Sequence, residues 1–333
     1  SDKNVEQLKM NFIFDTYPSP KLIKYGFNHM ESDLDMILLT ETNYYRAGLE
    51  FDFARSDENS IVSKSSQFFK INNFNQNFAE FWEIICLFGL LNTDQKIYSP
   101  LNSTDLSNVI NVYQAMTGTN HKYVSVTPKS KDTATLVWHK YSDLDINENA
   151  AVQFILNDLP NLLKRQTNGS SMILQLFAIQ TQTMAEIIYL LSMLYQEAYI
   201  VKPTVISTLF DAKYLVLIGM KESFDLVVPK HDDNVYLSTL GLEVPEEIVN
   251  KIQCANSELI PLKYKKYQQI KTYLDSKIYE GPTFQQMIES QDRNTLDWIE
   301  IFGQPKMAKN LTDTTIQKSE QRCQIYARLS IIY

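Results

Sequence analysis

Apolar positions along this chain switch repeatedly between short runs and helical spacing, and that alternation outlines a fold. Residues 78–91 (FAEFWEIICLFGLL) carry apolar side chains on nearly every side, which predicts a buried helix with Gly89 near its end. Residues 96–100 then predict a short strand, and residues 103–116 a helix N-capped by Ser103 or Thr104. Runs at 121–126 and 134–138 predict two more strands, followed by a helix over 150–163. A strand at 172–177, opened by the turn pair Asn168-Gly169, leads to a second buried helix at 183–196. Strands at 198–201, closed by Lys202-Pro203, and at 214–218 complete the series.

Strands alternating with helices of 10 to 15 residues predict βαβ units, hence an α/β fold with a mostly parallel sheet over residues 95–220. Beyond residue 222 the pattern changes. Segments 245–254 and 262–279 predict helices, and the polar tail to residue 333 is expected to be helical as well. Residues 1–60 are mixed, with a break at Tyr17-Pro18-Ser19-Pro20. The expected organisation is an extension over 1–60, a Rossmann-like domain over 61–221 and a mainly helical extension over 222–333.

Composition narrows the function classes. With 44% hydrophobic and 12% aromatic residues the chain can bury a sizeable core, which excludes global disorder. A net charge of −8 argues against coating nucleic acid by bulk electrostatics and leaves room for local basic patches. Cys86, Cys254 and Cys323 lie far apart, and His29, His121, His139 and His231 show no ligand spacing, so no disulfide framework or metal site is expected. The N-terminus is polar and the longest apolar run, at 187–193, is too short to span a bilayer. A soluble protein of the cytoplasm or nucleus is expected, without membrane partners. Abundant Asn, Lys, Ile and Tyr suggest an AT-rich coding genome, as some viruses have.

Glycine placement is more restrictive. Only nine occur, no two closer than 22 residues. A nucleotide loop after a Rossmann strand needs clustered glycines, because the backbone must turn tightly and meet the ligand without an intervening Cβ. No G-x-G, P-loop or G-x-S-x-G exists here.

Residues 168–221 nevertheless carry an ordered set of features. Gly169, Phe177, Lys202-Pro203, Ser207 and Tyr214 fall in a register that resembles the C-terminal half of the FtsJ-like RNA cap ribose 2′-O-methyltransferases. Weaker matches precede it, at residues 63–71, 97–113 and 135–140. The resemblance implies a Rossmann-like methyltransferase fold with N- and C-terminal helical additions. It also implies a catalytic Lys-Asp-Lys-Glu constellation, in which carboxylates tune the central lysine to activate a ribose hydroxyl.

Transferred onto this chain, those positions are largely replaced. The first lysine falls at Lys70, which could equally be a solvated face residue. The aspartate falls near His139 or Lys140, the central lysine at Gln175 and the glutamate at Lys213. Gln175 neither titrates nor acts as a base, and also suits a buried, hydrogen-bonded amide. Asp143 and Asp145 follow the strand by several residues and suit a loop or a helix cap. The donor loop becomes Pro100-Leu101-Asn102-Ser103-Thr104, without glycine. Trp82 and Trp138 are expected in the core.

The resemblance therefore implies a non-catalytic methyltransferase-like domain with no cofactor. Such a domain would act as a structural, regulatory or RNA-docking component of a capping or RNA-modifying machinery, beside a catalytic subunit or further domains of a larger polypeptide. Two alternatives stand beside it. One is an active methyltransferase using S-adenosylmethionine through a divergent site. The other is an RNA-binding module without donor binding, for which Lys202, Lys263, Lys265 and Lys266 are candidates. The stretch KYKKYQQIKTYLDSK at 263–277 interleaves basic and tyrosine residues, which fits phosphate contact with base stacking or an ordinary charged helix face.

Overall fold

The computed structural model describes residues 9–16, 57–72, 74–99, 103–141, 147–276, 281–305 and 325–329. A seven-stranded sheet is its centre, in the order β3-β2-β4-β5-β7-β6-β9. These strands are β2 (Gln95–Tyr98), β3 (Tyr123–Val126), β4 (Ala134–His139), β5 (Gln166–Leu176), β6 (Tyr195–Val201), β7 (Lys213–Met220) and β9 (Ile325–Arg328). β3, β2, β4 and β5 pair in parallel. β7 inserts antiparallel between β5 and β6, and β9 adds antiparallel to the outside of β6. Five of the seven strands thus share one direction, with helices on the faces: a Rossmann-like α/β fold.

The helices are α1 (Asp57–Phe69), α2 (Gln76–Phe88), α3 (Ser103–Thr117), α4 (Glu148–Lys164), α5 (Gln182–Leu194), α6 (Glu246–Ser276) and α7 (Pro282–Phe302). α2 begins where the Asn75 side chain accepts the Phe78 amide, and ends at Gly89, which takes φ 62°. Between those caps every residue from Phe78 to Phe88 is buried, as the all-round apolar pattern predicts. Trp82 donates its indole N–H to the Phe302 carbonyl at 2.8 Å, which ties α2 to α7. Trp82 and Trp138 are both fully buried, and one core cluster runs from Ile61 to Leu329.

Four expectations need correction. Asn168-Gly169 does not open β5: the strand starts at Gln166, and Gly169 (φ 82°) lies at an irregularity within it. A glycine in a strand accommodates such a bulge as readily as a turn. The two helices expected after residue 245 are one, α6, which continues through Pro261. Proline removes one backbone bond there, and packing of Ile252, Ala255, Tyr267 and Ile270 outweighs that loss. The described part of the tail ends in a strand rather than a helix, because Ile325, Ala327 and Leu329 bury alternately along the β6 edge. Finally, α3 starts at Ser103 itself, so neither Ser103 nor Thr104 is its N-cap.

Two short strands, β1 (Ile13–Asp15) and β8 (Tyr236–Thr239), pair antiparallel as a second sheet. They attach through α5: Glu186 accepts the Thr239 hydroxyl at 2.8 Å and the Leu240 amide at 2.5 Å.

Candidate functional site

The carboxyl ends of parallel β4, β5 and β6 bring residues 139–141, 175–180 and 202–213 to one end of the sheet, where open α/β sheets hold their ligands. Two groupings form there. The first centres on Glu80 of α2, which is wholly buried. Its Oε2 lies 2.8 Å from the Lys140 ammonium and also accepts the Tyr214 hydroxyl, while Oε1 accepts the Gln76 amide at 3.0 Å. Tyr214 stands directly across from Gln175 in the β5–β7 register. Gln175 is fully buried, and its side-chain oxygen accepts the Tyr141 amide at 2.6 Å. Its Nε2 has no hydrogen-bond partner, and neither has His139 Nδ1. His139 Nε2 and the Tyr141 hydroxyl meet the same oxygen of Asp158, at 2.8 and 3.2 Å. Burial and the Asp158 charge push the Tyr141 hydroxyl far above its ordinary value, so it acts as a hydrogen-bond donor and not as a base.

The second grouping surrounds a pocket between the end of β5, the β6–β7 connection and α6. Lys202, Lys213, Asp211, Asn256 and Lys263 are among its lining residues. Lys202 is buried and donates to the Phe210 and Ala212 carbonyls at 2.6 and 3.0 Å. Burial, with Lys213 beside it, lowers its ammonium from 10.5 to about 7. Lys213 donates to the Phe177 and Asp211 carbonyls. Lys263 pairs with the Asp211 carboxylate at 3.0 Å. The Asp211 carboxyl is held below its usual value by Lys263, Lys213 and Lys202, against its own burial.

Among the vestigial positions, Lys140 and Gln175 come close through Tyr141, and Lys213 lies at the foot of β7 on the pocket wall. Lys70 is exposed, and with φ 54° it serves as the left-handed residue that ends α1. Pro100, Leu101 and Asn102 lie outside the described residues, as do Asp143 and Asp145; Ser103 and Thr104 form the first turn of α3. Of the basic candidates, Lys202 and Lys263 line the pocket, Lys265 is exposed, and Lys266 is buried in a 2.9 Å pair with Glu58 of α1. Tyr267 is buried against Leu209 and Ile270.

Sequence reasoning missed the acids Glu80, Glu83 and Glu148. Glu83 accepts the Thr204 amide at 2.7 Å and the Trp298 indole at 3.3 Å, which anchors the segment after Lys202-Pro203. Burial outweighs these bonds and raises its carboxyl from 4.5 to about 7. Glu148 accepts the amides of Gln180 and Thr181, and so anchors the start of α5. The available signal was two glutamates inside an otherwise apolar helix, since buried charge requires partners.

Among the described residues, no group of three or more His, Cys, Asp or Glu could hold a metal ion, and no helix is long and apolar enough to cross a membrane. No family model matches the chain. It is 42% identical over 327 residues to "Uncharacterized protein R383" of Acanthamoeba polyphaga mimivirus, covering 98% of this chain and 93% of that protein. The chain belongs to the family of that viral protein. Among solved structures, a methyltransferase from Pyrococcus furiosus superposes on 50% of this chain and 99% of its own, with TM-score 0.29 and 7% identity.

Proposed function

We propose that this chain is a non-catalytic methyltransferase-like domain, a structural, regulatory or RNA-docking component of a capping or RNA-modifying machinery that works beside a catalytic subunit. The reading rests on the 168–221 resemblance and on one observation: the buried Lys140–Glu80 pair. Where the resemblance implies an aspartate there is a cation, already paired with a carboxylate from α2. Gln175 cannot take a proton at neutral pH, and Lys213 places an ammonium where the glutamate belongs. A ribose hydroxyl brought to this place would meet no base.

The methyl donor also lacks its usual reception. Asp105 stands in the first turn of α3, just after the glycine-free loop, and accepts Asn75 at 2.8 Å and Asn77 at 3.4 Å. The helix start thus already carries an anion, which disfavours the carboxylate of the donor's methionine moiety. Isothermal titration with S-adenosylmethionine is expected to give no binding, and capped RNA no methyl transfer. Micromolar donor binding would overturn the proposal and favour the divergent active enzyme.

A further inference from the structure

The pocket at the end of β5 and β6 has a charge pattern that its own protein contacts do not balance. Lys202 comes from the end of β6, Lys213 from the start of β7 and Lys263 from α6, so three ammonium groups converge from three elements. Asp211 is the one carboxylate among the lining residues, and it is shared among all three. Glu148, the next acid acting on Lys213, is turned to the amides of Gln180 and Thr181. Lys266 directs its charge to Glu58. Three cations against one carboxylate leave a surplus of positive charge in a partly closed space, which is costly without a counter-ion.

From this convergence we propose that the pocket binds a phosphoryl dianion, held by Lys202, Lys213 and Lys263. An ammonium has three donors, and Lys202 gives two of them to the Phe210 and Ala212 carbonyls, which leaves one for a ligand. The two carbonyls also fix the direction of the Nζ atom, so the site is pre-organised. The lowered Lys202 ammonium is what a site lacking its anion shows, because a bound dianion favours the charged form. Lys213 is equally fixed, by the Phe177 and Asp211 carbonyls. A dianion matches the surplus of two charges better than a single carboxylate would. The site stands whether or not the chain transfers methyl groups, because none of its cations is needed for donor binding.

The full chain is titrated with inorganic phosphate and pyrophosphate by calorimetry, against sodium chloride at equal ionic strength. Saturable binding beyond the chloride control is expected. Lys263→Gln should weaken it about tenfold or more, the loss expected for one charge-assisted contact. Lys265→Gln, an exposed neighbour on the same helix, should leave it unchanged. Because Lys202 also holds backbone carbonyls, Lys202→Gln is read only alongside Lys263→Gln, whose side chain is partly exposed. A 5′-phosphorylated oligoribonucleotide is compared with its 5′-hydroxyl form: preference for the phosphate assigns an RNA end, and equal binding assigns a free small phosphate. Phosphate that binds no better than chloride, or an equal loss in Lys265→Gln and Lys263→Gln, overturns the proposal.

Discussion

Replacing Lys140 with methionine isolates the buried pair on which the proposed function rests. The Glu80 carboxylate is wholly buried and the Lys140 side chain is 6% exposed, at 2.8 Å. At an effective dielectric of about 20 the gross attraction at this distance is about 6 kcal/mol. Methionine keeps most of the lysine's bulk, so the loss is chiefly electrostatic and leaves a buried carboxylate without its cation. Removing one partner of such a pair costs about 3–5 kcal/mol. Tyr214 and Gln76 still donate to Glu80, which puts the expectation at the lower end, about 3 kcal/mol. The double variant Glu80→Gln/Lys140→Met removes the stranded charge and should recover most of the loss, to within about 1 kcal/mol of the parent. Urea unfolding followed by near-ultraviolet circular dichroism and tryptophan fluorescence measures both. A single variant that loses less than about 1 kcal/mol, or a double variant that is no better than the single, would refute the assignment of a desolvated, structure-bearing pair.

Three further outcomes follow from named contacts. Glu83, raised in the fold from 4.5 to about 7, contributes stability that is complete below pH 4.5 and is lost as pH rises through 7, a swing of about 3 kcal/mol. Glu83→Gln should flatten the stability profile between pH 5 and 7, and an unchanged profile counts against that titration. Lys202, lowered from 10.5 to about 7, has the opposite sense: its contribution is complete above pH 10.5 and fades as pH falls through 7, which Lys202→Met should remove from urea midpoints measured between pH 7 and 10. Gly241→Ala would bring a Cβ to 2.8 Å from the Asn11 backbone at φ 74°. A cost of about 2 kcal/mol, with faster proteolysis near β1, is the expected result, and wild-type protease resistance would contradict it.

The order of elements from β2 to β7 was legible because each has a strong local pattern. Periodicity and caps placed the buried helices α2 and α5 within a few residues, since an all-apolar helix has little other place to go. The site was legible only as a set of substitutions. Lys140, Gln175 and Lys213 could be placed in chain order, but not the acid that Lys140 meets, because Glu80 is 60 residues away on another element. Lys202 and Lys266 looked alike as basic residues near tyrosines. Burial separates them: one lines the pocket, the other closes a pair with α1.

The sequence by itself determined the α/β alternation, the buried helices, the absence of clustered glycines and the loss of a titratable group at Gln175. These are local properties, set by side-chain periodicity and residue type. Only the tertiary structure decided strand order, the reversal of β7, the unbroken α6 and the strand β9, because each depends on which surfaces are left to cover once the sheet has formed. It alone also decided the charge balance. Whether a lysine is solvated, paired or short of a counter-ion depends on how many carboxylates from distant elements reach it, and chain order does not record that.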